Sequence, residues 1–404
     1  MASSARLRAV HAMMNAATVG TTVQQNPKPT TASSMAGAYH RGPHLFVQSG
    51  LAQIYAQALV RKTAWHSVRA MTEETKKPRA RRETIEVEVE GRPLTLSNQA
   101  KVLYPEAGFT KGQVVDYYQR IAPVLVPHLT NRPLTLKRFP NGVNSMFFFE
   151  KNATKSRPEW VKTVGIWGHG RGSELNFILC NDTPTLVYLA NLAALELHPA
   201  LACAPELESP SLVVFDLDPG PPADLATCCK AAIVFREYFD KLGLEAVAKT
   251  SGNKGMQLYV PLNTPTSYDE TKSWARGVAE AFEARFPEFF LSEMKKSLRE
   301  GKIFIDWSQN DANKTTISVY SLRARERPTV STPISWEEIE GAAASGDAGH
   351  LVFEADQVLT RVKTLGDLFA PALTLKQQLP DSPRASNPRR APGRSSRRGG
   401  GAVG

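Results

Sequence analysis

The sequence predicts an α+β fold, and three observations support that prediction. Stretches with a helical period and short runs rich in β-branched residues alternate irregularly along the chain. A fold of repeated strand–helix–strand units would need stricter alternation, and no internal repeat is present. The composition, 42% hydrophobic and 22% charged, is typical of a globular protein that buries a core.

The first half of the ordered region is predicted to combine short strands with helices, beginning with a short helix capped by Ser97 and Asn98. Thr110 is expected to cap a helix that reaches about Leu129, because Gln113 stands at the third position of a capping box. Another helix is predicted over 183–197. Period-two and β-rich runs predict strands at 84–90, 94–96, 134–138 and 146–150.

The second half opens with an apolar, β-branched run at 212–218 that predicts a buried strand. Further strands are predicted at 246–250, 256–261, 303–307 and 316–320. Helices are predicted over 223–242, 267–285, 291–298 and 334–343, and a segment at 358–368 closes the fold.

Positive charge is concentrated at the two ends of the chain. Residues 1–82 hold 12 Lys or Arg against 2 Asp or Glu, and residues 381–404 hold 6 Arg against 1 Asp. Residues 83–380 hold 31 basic and 36 acidic residues. Nucleic-acid binding by this middle region therefore requires local basic patches rather than bulk charge.

The same distribution predicts a disordered basic leader at 1–82, one catalytic domain at 83–380 and a disordered basic tail at 381–404. The leader also resembles a transit peptide in composition, and a true start at Met71 is a further alternative. No apolar run reaches the about 18 residues that span a membrane, so no membrane partner is expected. The 4 cysteines show no metal-ligand spacing, which favours reduced thiols and a cytoplasmic location.

Two aspartates mark the end of the central strand. Side chains alternate along a strand, so Asp216 and Asp218 are expected on one face, with Leu217 on the other. Two unpaired carboxylates would repel each other, whereas Mg²⁺ or Mn²⁺ between them keeps both ionised. A solvated turn with two ordinary acidic residues is the alternative, so the pair needs further support.

That support comes from two later features. The turn from Ser251 to Gly255 includes Lys254 and can offer a hydroxyl, N–H groups and an ammonium to phosphate oxygens. A third carboxylate, Asp306, ends another apolar strand, and Gln309 and Arg323 beyond it are further donors. Three strand-end carboxylates with a phosphate loop predict two-metal phosphoryl transfer from a nucleoside triphosphate.

Several ordered blocks of the sequence resemble one known family. They are residues 96–98, 101–105, 108–112, 132–138, 191–199, 216–218, 251–255, 306–310 and 320–323. Between about residues 84 and 375 the chain is similar to the polymerase domain of bacterial ATP-dependent DNA ligase D, in the archaeo-eukaryotic primase superfamily. The resemblance implies an RRM-like mixed sheet that carries the metal site, together with a small additional β subregion.

The resemblance also implies roles for individual residues. Two Mn²⁺ or Mg²⁺ ions would be held by Asp216, Asp218 and Asp306. The incoming NTP or dNTP would be contacted by Ser251, Lys254, His198, Gln257, Gln309, Arg323, Lys137 and Phe149. DNA would be contacted by Phe148, by Arg299 at the primer end, and by Asn98, Lys101 and Lys111, which would bind a 5′-phosphate.

The implied function is template-dependent extension and gap filling of DNA ends in non-homologous end joining. The implied partners are DNA ends, gapped DNA with a 5′-phosphate, and the Ku end-binding protein, at the nucleoid. No nucleotidyl-lysine ligase motif or phosphoesterase domain is present, so a separate ATP-dependent DNA ligase is expected.

One residue departs from the family pattern, because Gln257 stands where the family has a histidine. A glutamine can donate a hydrogen bond to phosphate but cannot become cationic. Two alternatives therefore stay open: a primase of the same superfamily that makes primers de novo, and a catalytically weakened module that bridges DNA ends. Retention of the three aspartates, Lys254 and Arg323 argues against lost catalysis.

Overall fold

The computed structural model describes residues 83–168 and 172–380, which form seventeen strands and seven α-helices. The strands are β1 (Thr84–Val89), β2 (Arg92–Ser97), β3 (Val102–Tyr104), β4 (Phe109–Thr110), β5 (Pro133–Arg138), β6 (Phe148–Glu150), β7 (Thr163–Gly168), β8 (Ser173–Leu179), β9 (Ala194–Pro199), β10 (Ala202–Cys203), β11 (Glu206–Pro210), β12 (Leu212–Pro219), β13 (Val247–Thr250), β14 (Met256–Pro261), β15 (Phe290–Leu291), β16 (Ile303–Asp306) and β17 (Pro333–Ile334). The helices are α1 (Lys111–Leu129), α2 (Thr183–Asn191), α3 (Leu225–Lys241), α4 (Tyr268–Arg285), α5 (Trp336–Ser345), α6 (Ala355–Leu365) and α7 (Pro371–Thr374). The predicted leader and tail lie outside the described residues.

A six-stranded sheet in the order β15–β16–β12–β14–β13–β17 carries the predicted metal site. The β15–β16 pair is parallel and the other pairs are antiparallel, so the sheet is mixed, as expected. Val213, Phe215 and Leu217 of β12 join the core formed with α3 and α4, where the Phe215 ring lies 5.1 Å from that of Phe235. Alternation therefore leaves Asp216 and Asp218 on the opposite face.

A second sheet has the order β6–β5–β8–β7, and β9 also pairs with β5. Its apolar face and helices α1 and α2 share one core, which includes Leu136, Leu197 and Tyr118. The pairing of β5 with β9 places Lys137 opposite Glu196, and the pairing of β5 with β6 places Lys137 opposite Phe149. This sheet therefore gathers basic and aromatic side chains at one edge.

The predicted helix starts are confirmed where a capping box supports them. Thr110 accepts a hydrogen bond from the Gln113 N–H at 3.3 Å, and the Gln113 side chain accepts from the Thr110 N–H at 2.8 Å. Ser267 and Glu270 form the same reciprocal pair at the start of α4. These local hydrogen bonds satisfy amide groups that a helix N-terminus otherwise leaves unpaired.

Four predicted elements are wrong, and long-range pairing explains three of them. The helix predicted over 183–197 ends at Asn191, because Ala194–Pro199 pairs with β5. The helix predicted over 291–298 is replaced by strand β15 and a short 3₁₀ turn at Lys296–Leu298. The predicted strand at 316–320 is an irregular segment whose N–H groups at Thr316 and Ser318 donate to carbonyls of β9. The fourth, the short helix predicted after Asn98, is a turn that leads into β3.

None of the described helices is long and apolar enough to cross a membrane.

Candidate active site

Four residues lie side by side across the six-stranded sheet, and we call them the acidic row because two of them are aspartates. Asp216 on β12 is the register partner of Asp306 on β16 and of Gln257 on β14. Gln257 is in turn the register partner of Lys249 on β13. Register partners on antiparallel strands project from the same face about 4.5–5.5 Å apart at Cβ. The row thus brings together two of the predicted carboxylates, with Asp218 on the same face, and adds Lys249, which was not predicted.

The carboxylates of this row carry excess negative charge. Burial raises the pKa of Asp216 to about 7, and the Asp218 and Asp306 charges add to this, although a hydrogen bond with Gln257 opposes it. Burial also raises the pKa of Asp218, and the nearby Arg299 guanidinium opposes that rise. Clustered carboxylates destabilise each other's charged forms unless a cation lies between them.

A divalent cation fits this donor set, because hard cations prefer carboxylate oxygens. Asp216, Asp218 and Asp306 are the side chains that could hold it. Among residues 83–168 and 172–380, however, no group of three or more His, Cys, Asp or Glu side chains is already arranged around a common metal position. Asp306 instead accepts hydrogen bonds from the Ser308 hydroxyl at 2.5 Å and from Gln309 Nε2 at 2.8 Å.

A cleft of about 670 Å³ opens beside the row. Nine of the predicted site residues line it: His198, Asp216, Asp218, Ser251, Lys254, Gln257, Arg299, Gln309 and Arg323. Two basic residues that were not predicted, Lys296 and Arg325, also line it. The Nε atoms of Arg299 and Arg323 are buried and make no hydrogen bond within the described residues. Acidic and basic walls of one cleft can hold a metal and a polyphosphate together.

The predicted phosphate loop connects β13 to β14 and is held in a tight turn. The Ser251 hydroxyl accepts hydrogen bonds from the Asn253 and Gly255 N–H groups at 3.3 and 3.2 Å. Gly252 has φ +68°, and a Cβ there would lie 2.7 Å from the Val330 carbonyl. The loop conformation therefore requires glycine at this position.

Glu196 joins three of the predicted nucleotide-binding residues and was missed by the sequence analysis. Its carboxylate accepts from His198 Nε2 at 3.0 Å and lies 3.6 Å from Lys137 Nζ and 3.5 Å from Arg323 Nε. It also accepts from the Ala324 N–H at 3.1 Å. Glu196 and His198 stand two residues apart, so strand alternation would have revealed the pair had 194–197 not been assigned to a helix.

These contacts determine the charges of the cluster. Burial raises the pKa of Glu196, but the hydrogen bond from His198 and the charges of Arg323, His198 and Lys137 outweigh it and lower the pKa to about 2. Burial lowers the pKa of His198, although Glu196 opposes that shift. Glu196 is thus an anion that holds cations in place at the edge of the cleft.

The predicted aromatic residues are exposed at the edge of the second sheet. Phe148 and Phe149 are 45% and 58% exposed, which a core residue would not be. Both line a groove of about 500 Å³ that also includes Trp167 and shares Thr315 with the cleft. The Phe149 ring lies 6.4 Å from that of His198. Exposed rings beside a nucleotide-sized cleft can stack on bases of any sequence.

The residues predicted to bind a 5′-phosphate lie outside the cleft. A backbone hydrogen bond of 2.8 Å joins Lys111 to Lys101, so these two lysines are neighbours. Lys101 Nζ donates to the Pro140 carbonyl at 2.6 Å, and Lys111 Nζ donates to Asn191 Oδ1 at 2.7 Å. Lys111 is buried, so its ammonium also stabilises the local fold, and Lys101 presents the more accessible charge.

Arg299, predicted to contact the primer end, lies beside Asp218 and Phe304. Its guanidinium is 3.7 Å from the Asp218 carboxylate and stacks on the Phe304 ring with 3.8 Å to the centroid.

Comparison with known proteins matches this chain to one family. A family model described as "LigD, primase-polymerase domain" matches residues 110–369. The chain is 44% identical over 278 residues to the multifunctional non-homologous end joining protein LigD of Mycolicibacterium smegmatis, covering 68% of this chain and 35% of that protein. It is 32% identical over 277 residues to the bifunctional LigD of Bacillus subtilis, covering 68% of this chain and 43% of that protein.

A solved structure gives the same result. The polymerase domain of Mycobacterium tuberculosis ligase D in complex with DNA is similar to this chain with a TM-score of 0.65 and 38% identity. The match covers 69% of this chain and 98% of that domain. By contrast, the chain matches only about a third of the length of the mycobacterial LigD proteins, at 35% and 36%.

Proposed function

This chain belongs to the LigD primase-polymerase domain family, and we propose that it extends and fills DNA ends by template-dependent nucleotidyl transfer in non-homologous end joining. The observation that supports this most directly is that one cleft has the acidic row on one wall and the phosphate loop with Lys254 beside it. This arrangement of carboxylates and basic side chains suits phosphoryl transfer, in which positioning and charge stabilisation dominate catalysis.

In this proposal Asp216, Asp218 and Asp306 hold two divalent cations, Mg²⁺ or Mn²⁺. When bound, such cations lower the pKa of the attacking 3′-hydroxyl and neutralise charge on the leaving pyrophosphate. Ser251 and Lys254 of the loop bind the triphosphate, because a hydroxyl and an ammonium both line the cleft there.

The other cleft residues orient the same nucleotide. Lys137 and His198 face its phosphates from the second sheet, and Arg323 faces them from the segment after Tyr320. Glu196 fixes the positions of all three side chains. Gln309 and Gln257 contribute neutral donors, and Arg299 reaches the primer end from beside Asp218. Phe149 stacks on the nucleotide base.

DNA contacts extend from the cleft along the second sheet. Phe148 stacks on the template base, and Asn98, Lys101 and Lys111 bind the 5′-phosphate across a gap. Gap filling leaves a nick, so an ATP-dependent DNA ligase must act on the product, and Ku would deliver the broken ends at the nucleoid. The substrate is an NTP or a dNTP, and their relative use follows from the experiment below.

Primer extension on a gapped duplex tests the proposal. The substrate carries a downstream 5′-phosphate, and reactions compare rNTP with dNTP in Mg²⁺ and in Mn²⁺. Templated filling of the gap, lost in Asp216→Asn, is the expected result. Primer synthesis on a single strand without a 3′-end would instead favour the primase alternative. DNA-end binding without any nucleotide addition would favour the end-bridging alternative and overturn the proposal.

A further inference from the structure

Lys249 is fully buried at the end of the acidic row, and uncharged oxygens surround its side-chain nitrogen. Its Nζ donates to Gln257 Oε1 at 2.6 Å and to Ser331 Oγ at 2.7 Å. The nitrogen also lies 5.6 Å from the centre of the Tyr259 ring. A buried amino group of this kind is costly, and packing alone does not call for it.

Two donors determine the orientation of the Gln257 amide. Lys249 Nζ and the Tyr259 hydroxyl, at 3.2 Å, both donate to Oε1, so this oxygen points away from Asp216. The amide NH₂ group is thereby turned toward Asp216, the register partner of Gln257 on β12. Lys249 is the closer of the two donors, at 2.6 Å against 3.2 Å, so it contributes most to an orientation that the near-symmetric shape of the amide does not set by itself.

We propose that Lys249 is a positioning residue for the carboxylate of Asp216 and that it acts through the Gln257 amide. The inference rests on the proposed function, in which Asp216 is a metal ligand. Residues behind the direct ligands of a metal set the orientation of those ligands, and their loss typically costs about 10- to 100-fold in metal affinity or activity. Lys249 on β13 would do this for Asp216 on β12, with β14 lying between the two strands.

The sign of the effect separates this role from simple electrostatics. A positive charge near a cation site repels the cation, so removing that charge alone would tighten metal binding. Removing a positioning residue weakens metal binding, because the amide beside Asp216 loses its fixed orientation. Lys249→Met keeps the length and apolar stem of the side chain and removes only the polar end. Ser331 Oγ keeps its bond to the Thr250 carbonyl, and Gln257 keeps Tyr259, so the variant should fold.

The experiment titrates the full chain with Mn²⁺ in the absence of nucleotide and follows the EPR signal of the free ion. We expect Lys249→Met to weaken Mn²⁺ binding about tenfold. Gln257→Leu should weaken it by a similar factor, and the double variant should lose no more than either single variant, since both act on one contact. Thr271→Val, which removes a buried hydroxyl from α4, controls for lost stability and should bind Mn²⁺ normally.

Unchanged or tighter Mn²⁺ binding by Lys249→Met would overturn the inference, as would a double variant whose loss equals the product of the single losses. Failure of the unmodified chain to bind Mn²⁺ is a different outcome, because it would overturn the metal site of the proposed function itself. In primer extension, Lys249→Met should lower kcat more than it changes the KM for nucleotide.

Discussion

Glu196→Gln tests whether the charge of Glu196 stabilises the basic residues at the edge of the cleft. The substitution keeps the size of the side chain and an acceptor for the Ala324 N–H, but it removes the negative charge. Lys137 and Arg323, at 3.6 and 3.5 Å from that charge, would then face each other without a counter-ion. We expect the variant to be less stable than the wild type at pH 7, and we expect its free energy of unfolding to change less as the pH falls.

The magnitude follows from the pKa of Glu196. The interactions lower it from 4.5 to about 2, and each pKa unit corresponds to about 1.4 kcal/mol, so the charged form contributes about 3 kcal/mol to folding at pH 7. A carboxyl group with a lowered pKa stabilises the fold above the pKa of the unfolded chain. That contribution disappears as the pH falls from about 4.5 toward 2. At pH 3 about half of it should remain.

Urea unfolding of the wild type and Glu196→Gln at pH 7 and pH 3 measures this difference. The free energies of unfolding should differ by about 3 kcal/mol at pH 7 and by about 1.5 kcal/mol at pH 3. Saturating nucleotide should restore part of the loss, since its phosphates supply the missing negative charge. Glu354→Gln is the matched control, because its partner Arg327 is 58% exposed and such pairs contribute less than about 1 kcal/mol. Equal stability of wild type and Glu196→Gln at both pH values would refute the role of Glu196 as the common anchor.

Three further predictions concern the metal site, the DNA pocket and the phosphate loop. Asp216→Ala should abolish nucleotide addition but preserve DNA-end binding in a gel-shift assay, and near wild-type extension would show that this carboxylate holds no metal. Lys101→Ala with Lys111→Ala should remove the preference for a 5′-phosphorylated gap, measured as the ratio of the two dissociation constants, provided that circular dichroism shows an intact fold. Gly252→Ala should lower stability by more than the about 1–2 kcal/mol cost of its positive φ, because its Cβ would also clash with the Val330 backbone. The same substitution should raise the KM for nucleotide. Gly108→Ala, with φ +60° and open space around it, controls for the backbone cost alone, so equal effects of the two substitutions would contradict the clash.

Much of the site could be predicted from the sequence because its signals are local. The alternation of Phe215, Asp216, Leu217 and Asp218 along one strand places both carboxylates on one face whatever the neighbouring strands are. The turn after Ser251 and the capping box at Thr110 likewise depend on residues within a few positions of each other. The resemblance to a known family then joined these separate signals into one function.

The tertiary structure decided which of these local signals lie side by side. Residues 194–197 follow a helix and could have continued it, yet pairing with β5 made them a strand and brought Glu196 next to Lys137, His198 and Arg323. Lys249 carries no signal of its own in the sequence, and it joins the acidic row only because β14 lies between β13 and β12. Strand order and register are set by contacts between residues far apart in the chain, and no local pattern of residues encodes them.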